Sequence, residues 1–317
     1  MESRQFRPFG SVSALTLGGG GLGQIWGDTT RDEAVATARL AADKGITHFD
    51  MAPMYGRGEA EKVIGEAFRG ADKSNLRFTT KCRLGRVAPD TVYDKLNASL
   101  TRSLQTMGIE RADLFFLHSQ LIEDHHVLAY HDDLRDRIAT VIPAFERLQR
   151  EGKIGGWGFA LGQESALEKA IAHHKPPTAV QCVVNPLNSA GNIGYVTEGF
   201  DCRRVLAACR QHDVPALAIR AVQAGALTSA MDRVLPADDA DQMDFERAAG
   251  FRALASDWGQ TPARLAHRYA LSTQDIGSVV LGVKNRRELL ECIAAADDPM
   301  LDPEECALLE NACAIAR

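Results

Sequence analysis

The sequence predicts an α/β chain closed into a (β/α)8 TIM barrel. It is read as a single domain over residues 1–317, with a short N-terminal β-hairpin and an extra C-terminal helix. Three observations predict this. Eight short apolar runs recur along the chain, and amphipathic stretches of helical period lie between them. The runs are apolar on both faces, as parallel strands covered by helices must be. No low-complexity segment or domain-sized linker breaks the alternation, and 317 residues is a length that one eight-unit barrel takes. A doubly wound open sheet is the runner-up plan.

In chain order, the ends of residues 4–9 and 13–17 alternate polar and apolar residues and predict the hairpin. Strands are predicted at 14–17, 47–50, 77–81, 114–118, 156–159, 179–184, 216–220 and 278–281. Helices are predicted at 31–44, 59–69, 90–107, 134–151, 164–173, 203–212 and 261–272, with 285–296 after the last strand and 303–315 as the addition. The period is clearest where Val92, Leu96, Leu100 and Leu104 recur every four residues among polar neighbours.

Composition narrows the function classes. A net charge of −6 argues against nucleic acid as a main partner, since phosphate backbones call for basic patches. No apolar run is long enough to span a bilayer, and the N-terminus lacks the apolar core of a signal peptide. Seven cysteines without a CxxC pair read as free thiols in a reducing compartment, so a cytoplasmic protein is expected.

Chemistry concentrates at the predicted strand ends, where a barrel keeps its active site. Asp50, Lys81 and His118 each close a predicted strand, and Tyr55 lies in the Gly-punctuated turn just after one. Singly, these residues read equally well as a helix cap, a strand end, an interior histidine and a rim aromatic. Together they form a proton-transfer set. A phenol has a reference pKa of about 10, and a neighbouring ammonium lowers it. Lys81 supplies that charge, Asp50 orients Lys81, and His118 orients a carbonyl oxygen or relays a proton.

The stretch GITHFDMAPMYGRGEAEKVIG (45–65) resembles the aldo-keto reductase signature. TTKCRLG carries the lysine and DLFFLHS the histidine. GKIGGWGFA, QCVVNPLN, IRAVQAGALT and SVVLGVKNRRELLECIAA resemble the later strands in order, over nearly the whole chain. The resemblance implies catalytic roles for Asp50, Tyr55, Lys81 and His118, with Tyr55 as proton donor. It also implies a nicotinamide cofactor, no metal, and an aldehyde, ketone or sugar substrate. Cofactor contacts are expected from Gln181, Ile219, Arg220, Gly282, Lys284, Arg286, Arg287 and Glu288, and Trp26 is expected to line the substrate pocket. A non-enzymatic, nicotinamide-binding regulatory subunit of the same fold is the alternative.

The chain departs from the family in three places. Where the family has Ser-Asn to hold the nicotinamide amide, this chain has Ala160 and Leu161, while Gln181 is retained. Ile219 stands where many members stack a tyrosine. Glu288 stands where many carry Arg or Gln, so a carboxylate opposes the 2′-phosphate grip of Lys284, Arg286 and Arg287; NADP(H) is placed ahead of NAD(H).

Two motifs are read as bland. Gly18, Gly20 and Gly23 match GxGxxG, but no helix is predicted to open on them, so they are assigned to the first barrel loop. His125, His126 and His131 lack the spacing of a helical zinc site and are assigned to a polar loop. Residues 120–133 and 229–244 are the expected specificity loops.

Overall fold

The computed structural model describes residues 1–85, 87–121, 137–193 and 201–314. The hairpin pairs β1 (Ser3–Gln5) with β2 (Ser11–Ser13), Arg4 opposite Val12. It ends at Ser13, earlier than expected, because the next residues belong to the barrel. The barrel strands are β3 (Leu15–Gly18), β4 (His48–Asp50), β5 (Arg77–Cys82), β6 (Ala112–Leu117), β7 (Ile154–Phe159), β8 (Ala179–Val183), β9 (Ala216–Ile219) and β10 (Ile276–Leu281). They run parallel in the order β10-β3-β4-β5-β6-β7-β8-β9. Val279 lies opposite Leu15 on one side of β10, and β9 pairs on the other. That double pairing closes the sheet and eliminates the open-sheet alternative.

Strand burial follows the expected pattern: β3, β4 and β8 are buried along their whole length. Helices cover the outside through apolar stripes. The helix Val92–Met107 buries Val92, Leu96, Leu100 and Met107 against the barrel and stops at Gly108, whose φ of 62° suits a residue without Cβ. Side chains fix several helix starts. Thr30 accepts from the Glu33 amide, Asn285 from the Glu288 amide, and Asp302 forms a capping box with Glu305.

Two helices, Ala240–Arg247 and Ala249–Asp257, were not anticipated, and the first takes up the end of the expected loop 229–244. The glycine-rich segment is partly helical as well, forming one turn at Gly19–Leu22. The expected loop 120–133 beyond residue 121, His125, His126 and His131, the start of the helix predicted at 134–151 and Ile315 lie outside the described residues. All seven cysteines are free thiols. Among the described residues, no helix is long and apolar enough to cross a membrane, and no three His, Cys, Asp or Glu side chains group as a metal set.

Candidate active site

The barrel interior is polar in two successive layers, set by the two-residue period of strand side chains. In the lower layer His48 Nδ1 lies 3.0 Å from Thr16 Oγ1 and its Nε2 lies 2.7 Å from Thr79 Oγ1. Thr16 also meets Ser278 Oγ at 2.7 Å, so four strands are joined across the barrel. Burial holds the His48 imidazole down at about 4.

The upper layer lies two residues further along the same strands. Lys81 Nζ donates to Asp50 Oδ2 (2.7 Å), to the Met51 carbonyl (3.1 Å) and to Tyr55 OH (3.1 Å). Lys81 is 0% exposed and Asp50 2%. Gln181 reaches in from β8 and donates its amide to Asp50 Oδ2 at 3.0 Å. Burial opposes the Lys81 charge, but Asp50 and Tyr55 outweigh it, and the ammonium sits above its ordinary value. Tyr55 goes against the sequence expectation. Burial outweighs the pull of Lys81 and, with Asp50 pushing the same way, holds the phenol above 10. Tyr55 therefore carries its proton in the free chain. Its ring meets the His118 ring edge-on, centroids 5.6 Å apart at 89°. His118 lies one residue past the end of β6 and hydrogen-bonds through its amide to Cys82 O at 2.8 Å. Burial, with Lys81 and Arg83 nearby, keeps its imidazole well below the ordinary value, so it is neutral. The four predicted catalytic side chains thus meet at one rim.

Backbone packing against the glycine-rich segment places Tyr55. A Cβ on Gly23 would stand 2.6 Å from the Tyr55 carbonyl carbon, and one on Gly56 would collide with the Gly23 carbonyl. These glycines let two loop backbones touch.

The predicted cofactor residues fall into two groups. Gln181 and Ile219 line one cleft together with Ala160 and Leu161, which stand where the family has Ser-Asn. Gly282, Lys284, Arg286, Arg287 and Glu288 lie between the end of β10 and the first turn of the helix Arg286–Asp297, and Arg220 directly follows β9. Several of them carry protein partners that sequence reasoning missed. Arg220 donates to Asp241 (2.6 Å) and to Gln223 (2.7 Å), and the φ of Arg220, 57°, ends β9 one residue earlier than predicted. Lys284 pairs with Asp232 at 2.6 Å, and Arg286 with Glu33 at 2.8 Å. Glu288 turns back to accept from the Lys284 amide (2.8 Å) and from Asn285 (3.3 Å). Arg287 is exposed and makes no ion pair among the described residues. Trp26 stands beside Gly20 and Gly282, with the Arg220 and Arg233 guanidinium carbons 6.0 and 5.9 Å from its ring centre.

A closed barrel with its reactive side chains gathered on the carboxyl rim is the plan of a barrel enzyme. Residues 14–313 match the model of the Aldo/keto reductase family, and the chain belongs to that family. It is an oxidoreductase of carbonyl and alcohol groups acting on small molecules, in a family that uses nicotinamide cofactors. It is similar to L-galactose dehydrogenase of Arabidopsis thaliana, 25% identical over 289 residues that cover 90% of this chain and 85% of the plant protein. It is also similar to D-threo-aldose 1-dehydrogenase of a Pseudomonas species, 28% identical over 185 residues, 51% of this chain and 54% of that one. The barrel superposes on a glycerol dehydrogenase from Gluconobacter oxydans with a TM-score of 0.73 at 20% identity, covering 98% of this chain and 94% of the other. Relatives named for NADP(+) and for NADH both occur.

Proposed function

We propose that this chain is an NAD(P)-dependent dehydrogenase or reductase that interconverts a small carbonyl compound, an aldehyde, ketone or sugar, with its alcohol. One observation carries the reading: a single buried ammonium, Lys81, bonds both a carboxylate and the Tyr55 hydroxyl. Gln181 and Ile219 would hold a nicotinamide, which when bound would supply or accept the hydride. Tyr55 gives its proton to the carbonyl oxygen, and Lys81 stabilises the phenolate that remains. In the reverse direction Tyr55 takes the proton back. Neutral His118, across the phenol ring, orients the substrate oxygen by a hydrogen bond.

The residues fit a dinucleotide. The cleft offers an apolar wall for a ring in Ala160, Leu161 and Ile219, and Arg287 offers an exposed cation for a phosphate. NADP(H) stays ahead of NAD(H). Glu288 is drawn into its own helix start beside Lys284, which reduces its repulsion of a phosphate, and Arg287 is the cation left without an ion pair among the described residues. The sugar-acting relatives make an aldose or its oxidised form the first substrates to try.

The test is Tyr55→Phe. Turnover on a panel of aldehydes, ketones and aldoses is expected to fall by about 100-fold or more, with affinity for reduced cofactor within about threefold of wild type. Near-normal turnover would exclude Tyr55 as the proton donor. Lack of turnover by the wild type across the panel, with cofactor still bound, would favour the regulatory-subunit reading.

A further inference from the structure

The replacement of Ser-Asn by Ala160 and Leu161 removes the side-chain donors from the end of β7, and the structure shows what stands there instead. The chain after β6 continues alongside the exit of β7: Leu121 N donates to Leu161 O at 3.0 Å, and Gln163 N to Leu121 O at 2.8 Å. This places Gln120 at the edge of the cleft lined by Ala160, Leu161, Gln181 and Ile219. Its Nε2 donates to the Ile193 carbonyl, beyond β8, at 2.7 Å. A carbonyl only accepts, so the Gln120 amino group must face Ile193 and its Oε1 must face away. The same logic fixes Gln181, whose amino group is committed to the Asp50 carboxylate. Two glutamines on one cleft have thus each turned an amino group toward the protein and kept an acceptor oxygen on the other side.

We propose that Gln120 is a cofactor-binding residue, its Oε1 accepting one hydrogen of the nicotinamide carboxamide NH2 while Gln181 Oε1 accepts the other. This rests on the nicotinamide reading above. An NH2 group has two hydrogens and the cleft offers two glutamine oxygens, one for each, while Ala160 and Leu161 supply no side-chain donor for the carboxamide oxygen.

The experiment is a fluorescence titration of the full chain with NADPH, NADH and their reduced 3-acetylpyridine counterparts, in which a methyl group replaces the NH2. It uses wild type, Gln120→Met and Gln120→Glu. Both variants lose the bond to Ile193, but only Glu keeps an acceptor. Wild type should bind the acetylpyridine form about tenfold more weakly than the natural cofactor, the scale of one or two neutral hydrogen bonds. Q120M should bind the natural cofactor about five- to tenfold more weakly and leave acetylpyridine binding within about twofold; Q120E should stay within about threefold on both. Equal losses for Q120M and Q120E, equal losses on both cofactor forms, or no loss at all would overturn the assignment and leave Gln120 as a loop strap. Equal affinity of the wild type for both forms would overturn it without any variant. Failure of the wild type to bind any reduced nicotinamide would instead refute the nicotinamide reading, and this proposal with it.

Discussion

Asp50→Asn isolates the charge that the site depends on. The substitution keeps the shape of the side chain and removes the counter-ion from Lys81, which is 0% exposed and then retains only the Met51 carbonyl and Tyr55 hydroxyl as certain partners. Breaking one side of a buried pair costs about 3–5 kcal/mol. With an unfolding entropy of roughly 2.1 cal/mol/K per residue over 317 residues, that corresponds to a Tm lower by about 5–8 °C. The pH dependence separates charge from packing. In the wild type Lys81 sits above its ordinary value, so its contribution is present below the unfolded pKa of about 10.4 and is lost only as pH rises through the higher folded value. In the variant burial is no longer outweighed, and the folded pKa drops below the unfolded one. The unfolded state then binds the extra proton, and the variant regains about 1.4 kcal/mol per pH unit as pH rises toward 10.4. Between pH 8 and 9.5 this closes the gap to wild type by about 2 kcal/mol, or about 3 °C. Thermal unfolding followed by circular dichroism, variant against wild type at each pH, reads this directly. A gap under 1 °C, or one that stays constant over that range, would refute the view that Asp50 holds a buried charge.

Gly23→Ala is expected to displace the turn carrying Tyr55, since the new Cβ would press on the Tyr55 carbonyl carbon; turnover should fall about tenfold or more, by the scale of misplaced reacting groups, and unchanged kinetics would show that the two loops can separate freely. Arg287→Ala should weaken NADPH binding about fivefold, as befits an exposed charge pair, and leave NADH unaffected; equal effects on both would remove Arg287 from phosphate recognition. His48 is depressed to about 4, so its contribution to stability is present above the unfolded pKa of about 6.5 and is lost as pH falls toward 4. The wild type should lose about 1.6 kcal/mol from this group between pH 6.5 and 5, and the acid slope of Tm should flatten in His48→Gln.

The meeting of Asp50, Lys81, Tyr55 and His118 was legible because it is local to strand ends. Asp50 and Lys81 lie at or next to strand ends in the structure, and the rule that barrel chemistry gathers at the carboxyl rim brought them together without coordinates. Their electrostatics were not legible. The direction of the Tyr55 shift depends on how completely the phenol is buried, which no spacing reveals. Partners far along the chain were missed for the same reason. Asp241 meets Arg220 from a helix that the sequence reading took for loop, and Asp232 and Glu33 engage Lys284 and Arg286 across 52 and 253 residues. Gln120 carried no such signal: β6 ends at Leu117 and the chain bends at Ser119, so no strand period relates Gln120 to His118. Gly18, Gly20 and Gly23 were assigned to a loop, whereas Gly18 ends β3 and Gly19–Leu22 forms a helical turn; that Gly23 is a backbone contact surface follows only from the neighbours it meets.

The sealing of Lys81 against Asp50 also divides the molecule by its response to electrolyte. Ions in solution screen charges that water reaches, over about 8–10 Å near physiological strength, and this pair is closed to water. Arg287 stands in the solvent, and Lys284 and Arg286 are paired at the surface where counter-ions collect. Added salt should therefore act on the exposed cations that we assign to a cofactor phosphate and leave the proposed proton-transfer set as it is. Burial and exposure put the two in separate dielectric compartments.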